Sequence, residues 1–390
     1  MKPYVRWEEL KQVARDAKND VVNRGMIEPV TPSHRGPATD PAPGIDRVSK
    51  KQIQTANALT MPVKSNGGLD LRHANKREPN GAEFLFITRR ILAHWARWPG
   101  QSTENDPSWV LDLATLYVAL THFVNDENEP LFNAIPHFMV IAEKGSGKTR
   151  AMKVMRSLVR DSTIIASRYT MPGIRDALHA GKTPFLDEAQ RAFGRGTANQ
   201  AIQSILASSY SADSGTLDGI GGLNEREAFG SMILAAQPKI VTNTNDNLDD
   251  LFERSVMVEW EKSFDDIPEL DNQFLTLTEA FRNVLSVWGL SQSPRPTREN
   301  KKPKLFAIHS MPDELSARSA EIANPLLAVA DRAQNPEIAA NDPTGYDYRW
   351  AITAREAVVQ AFKGHGSDPS TVVSDVKSQL EAMGLKIGDE

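Results

Sequence analysis

Ala142, Glu143, Lys144, Gly145, Ser146, Gly147, Lys148 and Thr149 stand between a short apolar run (138–141) and a stretch with helical patterning (150–159). Nothing else in the chain narrows its fold as much. The eight residues match the phosphate-cradling pattern G-x-x-x-x-G-K-S/T, with Ala142 at the first glycine position. Gly145 and Gly147 let the backbone wrap closely, with its amide N–H groups turned inward. A helix starting at the end of the loop adds a partial positive charge of roughly half an elementary unit. Lys148 is then set to reach the β- and γ-phosphates of a nucleotide, and Thr149 to offer its hydroxyl to a metal ion. The expected cofactors are ATP and Mg2+.

The surrounding pattern suits such a loop. From residue 136, short apolar runs alternate with helical stretches, which is how a parallel α/β sheet reads. Strands are predicted at 138–141, 163–166, 184–186, 232–236 and 256–260, giving a five-stranded P-loop core over 136–263. Before it, Phe84, Phe86, Ile87, Ile91, Leu92 and Trp95 line one helix face, and a second apolar helix covers 108–124. Trp95 and Trp98 sit at helical spacing and read as core, with base stacking as the alternative. After the core, Phe274, Leu277, Phe281, Val284, Leu285 and Trp288 form another stripe. A Pro- and Lys-rich connector (291–304) then leads to an apolar helix near 322–330. The expected divisions are a basic, Pro/Gly-rich and partly disordered arm (1–82), a helical segment (83–135), the core (136–263), and a helical lid with a tail (264–390). Within the arm, 4–24 reads as a short polar helix.

A second acidic feature follows the loop at a useful distance. Asp187 and Glu188 end the apolar run 184–186, with Asp187 39 residues after Lys148. One βα unit beyond a phosphate loop, the first acid is placed near Mg2+ and the second can polarise an attacking water as general base. The run 232–236 ends at Gln237, a polar residue at a strand tip suited to hold that water or sense the γ-phosphate. Asn243 and Asn245 are its rivals. Arg254 precedes the last predicted strand, the station at which ring-forming ATPases donate an arginine to a neighbour's γ-phosphate; a helix-terminal arginine opposing the dipole is the alternative.

This order of loop, Asp-Glu strand, polar tip and arginine resembles the AAA+ ATPases, including helicases of the superfamily-III type. A closer likeness rests on 120–123, on Glu143 and Lys144 with Gly147 to Arg150, on 185–189, on Glu253 to Val256, and on 311–331. These look like an actinobacterial and phage ATPase family catalogued as a domain of unknown function. Its members occur in phage and mobile-element proteins, some joined to primase-like or replication domains. The likeness spans about 83–363. It implies an AAA+-type core with nucleotide bound by residues 142–150, and Mg2+ held through Thr149 and Asp187. The AAA+ order gives catalytic roles to Lys148, Asp187, Glu188, Gln237 and Arg254, the last donated across a ring, expected as a hexamer, whereas the closer likeness brings no settled activity with it. Arg318 would be a second phosphate sensor at the mouth of a lid helix, or else a helix-face partner of Glu314 or Glu321.

The formal net charge of −5 conceals a division, because residues 1–82 hold 14 Lys/Arg against 9 Asp/Glu and the rest hold 31 against 41. A basic arm suggests contact with a polyanion, or a solvated tail. In the core, Arg168 with Tyr169 would suit a phosphate contact and a stacking platform. The segment 211–227 is where superfamily-III helicases carry a DNA-contacting hairpin. Here it holds Asp213, Asp218, Glu225 and Glu227 against Arg226, a poor complement to phosphate. Zero cysteines exclude disulfides, thiolate metal sites and cysteine catalysis, and the eight histidines show no ligand spacing. No apolar run reaches the ~18 residues of a membrane span. The expectation is therefore a cytoplasmic ATPase (in the bacterial host, if phage-encoded) without membrane contact. It would serve as a DNA replication motor of helicase type on single-stranded or duplex DNA. The alternative is a protein-remodelling or regulatory ATPase, for example in phage–host conflict, acting on a replication or host protein.

Overall fold

Strand β1 (His137–Ala142) is buried along its whole length, so both of its faces must be covered. It lies in a five-stranded sheet with β2 (Ser162–Ala166), β3 (Thr183–Leu186), β6 (Ile233–Ala236) and β7 (Ser255–Trp260). The order is β2-β3-β6-β1-β7, and every neighbouring pair is parallel. Each predicted strand is present, with ends within one residue. A separate antiparallel pair joins β4 (Thr216–Leu217) to β5 (Arg226–Glu227). The structure is a computed structural model. It describes residues 81–101, 108–124, 131–193, 197–212, 216–217, 226–238, 240, 251–260, 267–292, 308, 310–333 and 350–362. The predicted helix at 4–24, the rest of the arm to residue 80, and the connector through 304 lie outside these residues, apart from Ser291 and Gln292.

Alternation along the strands builds three layers. Phe138, Val140 and Ala142 point into one apolar cluster, and Met139 and Ile141 into another. The first cluster is roofed by α1 (Gly81–Trp95), α2 (Trp109–Leu120), α3 (Lys148–Leu158), α6 (Asn272–Ser291), α7 (Ala317–Ala333) and α8 (Trp350–Ala361). The second is roofed by α4 (Met171–His179), a 3-10 turn (Ala189–Phe193) and α5 (Thr197–Ser208). Helix starts are set by short polar side chains. Ser108 accepts from Leu111 N–H at 3.3 Å, Thr170 from Gly173 N–H at 3.3 Å, and Asp271 from Phe274 N–H at 2.8 Å.

The helices before and after the five-stranded core share one interior. Trp288 of α6 packs against Phe84 of α1 at 5.9 Å and Phe123 at 5.2 Å between ring centroids. The indole N–H of Trp350 in α8 donates to Ala82 O at 3.3 Å. The expected segment 83–135 and the expected lid therefore form a single layer. Aromatic residues drawn from both ends of the chain close it, and separate flanking bodies would leave those faces in water.

The closest approach in that layer is at Gly289. Helix α6 passes so near the end of α2 that a Cβ on Gly289 would lie 2.1 Å from His122 O. His122 makes the same junction through its ring, with Nδ1 at 3.0 Å from Ser286 Oγ and Nε2 at 2.8 Å from Leu158 O. Burial pushes this imidazole down to about 3, so it stays neutral. Ordinarily Gly→Ala inside a helix stabilises by up to ~1 kcal/mol. Gly289→Ala should instead destabilise by about 2 kcal/mol or more, the range of core overpacking. Urea unfolding of the variant checks this, and a gain in stability would contradict the packing described.

Candidate nucleotide site

All parallel strands end on the same edge of the sheet, and the loop leaves β1 at that edge. Gly145 and Gly147 have φ of 81° and 97°, the left-handed region that glycine alone enters without penalty. At Gly147 space is not limiting, since the nearest atom to an added Cβ would be Trp260 Nε1 at 4.0 Å. The backbone turn is what demands glycine there. Gly147 caps α3, its carbonyl accepting from Arg150 N–H at 2.9 Å and Ala151 N–H at 3.1 Å. Glu143, Lys144 and Gly145 are exposed, while Ser146 and Lys148 are buried. Lys148 Nζ donates to Ala142 O and Glu143 O, both at 3.1 Å. Burial lowers the pKa of this ammonium, opposed by Asp187, Glu143 and Glu188. Ser146 Oγ is buried without a hydrogen-bond partner among the described residues.

Strand β3 delivers the acids to the same place. Thr149 Oγ1 donates to Asp187 Oδ2 at 3.0 Å, joining the loop to the acidic strand end across 38 positions of sequence. The main chain at Asp187 is fixed by its own N–H donating to Ala166 O at 2.8 Å. Glu188 has φ 56°, an uncommon conformation for a residue with a side chain. Its N–H donates to Asp187 Oδ1 at 2.9 Å, and its carboxylate pairs with Arg191. Between β1 and β3 runs β6, in a register that sets Ala236 beside Ile141 and Leu234 beside Leu186. Gln237 follows Ala236 and so lies on the same edge. Its N–H donates to the buried Gln190 Oε1 at 3.1 Å. Gln190 went unnoticed in the sequence, where a glutamine two residues past the acids carries no signal. Asn243 and Asn245 lie outside the described residues.

Other candidates stand elsewhere. Arg150 turns away from the loop, with Nε donating to Trp95 O at 2.9 Å and Nη2 to Pro268 O. It ties the start of α3 to the flanking helices. Tyr169 packs on the second apolar cluster with Met171, and its hydroxyl is buried. Desolvation raises its pKa, with Arg191 lowering it and Asp187 adding to the rise. The ring is thus partly taken up by the second cluster, and Arg168 beside it is exposed. Arg254 and Arg318 lie at the opposite edge of the sheet. Arg254 immediately precedes β7, and its carbonyl accepts from His137 N–H, the first residue of β1, at 3.0 Å. Arg318 pairs with Glu321, the helix-face alternative considered for it.

The oxygen donors fit a hard cation. Mg2+ is usually held through one or two protein oxygens plus phosphate and water, and the Thr149 hydroxyl beside the Asp187 carboxylate offers such a set. Among the described residues no group of three or more His, Cys, Asp or Glu is placed to hold a metal, and no helix is long and apolar enough to cross a membrane. Neither a protein-family model nor a curated protein matches the chain.

Glu259 lies beside this edge on β7, opposite Ile141 in register. Burial pushes its carboxyl up to about 7. The folded chain therefore holds a proton here that the unfolded chain releases near pH 4.5. The group's contribution is full below about pH 4.5 and is lost as pH rises through 7. A Glu259→Gln variant should gain stability relative to the parent as pH rises from 4.5 to 8. Paired thermal melts test it, and an offset independent of pH would contradict it.

Proposed function

We propose that the chain is a Mg2+-dependent ATPase of the P-loop class, AAA+-like in arrangement and working as a ring of identical subunits. The observation that carries this reading is the 3.0 Å contact between Thr149 and Asp187 at the mouth of a loop with two left-handed glycines. Lys148 would turn from the loop carbonyls to the β- and γ-phosphates. Thr149 and Asp187 would hold a hydrated Mg2+, which neutralises charge on the phosphate oxygens. Glu188, released from Arg191, would accept a proton from the attacking water. Gln237 would help place that water from the tip of β6. A ring accounts for Arg254, because its own loop lies at the other end of β1 and only a neighbour's phosphate could meet it. The likeness to AAA+ proteins and to the phage and actinobacterial ATPase family belongs to this reading.

The work driven by hydrolysis has two readings, each with an observation behind it. A DNA replication motor is supported by the β4–β5 ladder, which falls in the segment where superfamily-III helicases carry a DNA-contacting hairpin. Remodelling of a partner protein is favoured by the acidic composition of that same segment. Phosphate affinity requires positive charge free to meet the strand.

Turnover assays with and without single-stranded DNA decide both questions. Lys148→Ala should lower ATP hydrolysis by about 100-fold or more, the range for removing one preorganised transition-state contact. Glu188→Gln should bind ATP and turn it over at least ~100-fold more slowly. Stimulation by DNA supports the motor, and indifference to DNA supports remodelling. Wild-type protein that binds ATP and never hydrolyses it would refute the enzymatic reading.

A further inference from the structure

Arg254 and Arg318 are 64 positions apart, yet they meet on one side chain. The guanidinium of Arg254 lies 4.8 Å from the ring centroid of Tyr210, and that of Arg318 lies 4.7 Å from it. Arg318 Nη1 also donates to Tyr210 Oη at 3.0 Å and pairs with Glu321. Arg254 Nη1 donates to Ala207 O. Tyr210 is buried, and its carbonyl accepts from Ile135 N–H at 2.7 Å, two residues before β1 begins.

That position defines which nucleotide the pair can serve. The loop of the same chain starts where β1 ends, six residues further on, or about 20 Å at the strand rise of ~3.3 Å per residue. An arginine side chain does not span such a distance. In a closed ring each copy presents one surface to a different surface of its neighbour, so a residue remote from its own site can adjoin another's. Arg318 and Glu321 keep partial exposure, at 31% and 44% of their side chains.

Resting on the ring-ATPase reading, we propose that Tyr210, Arg254 and Arg318 form one cationic unit that contacts the nucleotide phosphates of a second copy of this chain, with Tyr210 as the positioning residue for both arginines. Arg318 then acts across the interface with Arg254 and contributes nothing to the nucleotide bound by its own subunit. Stacking on a shared ring holds two like charges together, and the hydroxyl fixes the direction of Arg318. Glu321 screens their repulsion until an anion takes its place.

Mixing subunits tests this directly. Arg318→Ala should lower turnover at least ~10-fold, in line with losing a transition-state arginine. An equimolar mixture with Lys148→Ala should recover to about one quarter of the wild-type rate, because a quarter of sites then pair an intact loop with an intact donor. A second readout is independent of turnover. Binding of a fluorescent ATP analogue to dilute, unassembled Arg318→Ala should match wild type, while ATP-driven assembly in sedimentation should weaken. Tyr210→Phe keeps the ring and loses the hydroxyl, and covers the case in which Arg318→Ala fails to fold. It should lose activity and be rescued by Lys148→Ala in the same way. Loss of activity with no rescue on mixing, full activity of both variants, or weakened analogue binding by dilute Arg318→Ala would each overturn the proposal. Absence of hydrolysis in wild type would instead remove the ATPase reading on which it rests.

Discussion

Parallel pairing of β6 between β1 and β3 is the constraint on which the site depends. Parallel strands finish on a common edge, so β1, β6 and β3 deliver Ala142, Gln237 and Asp187 to one place from distant parts of the chain. A one-residue slip of β3 against β6 would turn its side chains to the other face. Thr149 and Asp187 would then lose their 3.0 Å contact. The register is held by burial on both faces, because Phe185 belongs to one apolar cluster and Leu186 to the other.

Around this edge the flanking helices act as a brace. Arg150 carries the start of α3 onto carbonyls from both sides of the core sequence, those of Trp95 and Pro268. Trp260 lies beside Gly147 and packs on Trp98, with ring centroids 4.8 Å apart. The 142–149 loop is thus backed by a layer drawn from segments before and after the sheet.

Much of this was legible from residues alone, for identifiable reasons. The strands are short apolar runs with polar ends, and the loop needs glycine where φ is positive, so both leave marks that survive without any tertiary context. Asp187 and Glu188 stand out because their distance from Lys148 has a chemical meaning. What escaped depended on packing between remote segments. Nothing local to Trp350 says that it will reach Ala82 and join the helices on either side of the core in one layer. Tyr169 sits beside an exposed arginine and reads as a surface aromatic, yet it is partly buried against the second apolar cluster. Arg318 lies 64 residues beyond Arg254, and Tyr210 brings the two together.

The central claim is that Thr149 and Asp187 act as one metal-holding unit at a phosphate loop. A double-mutant cycle on ATP affinity, measured with and without Mg2+ for Thr149→Val, Asp187→Asn and the pair, tests it most directly. The account predicts that Mg2+ tightens ATP binding in the wild type. Each single change should abolish most of that gain, and the double variant should lose little more, a coupling of about 1 kcal/mol or above between contacting groups. Equal ATP affinity with and without Mg2+, or losses that simply add, would contradict it.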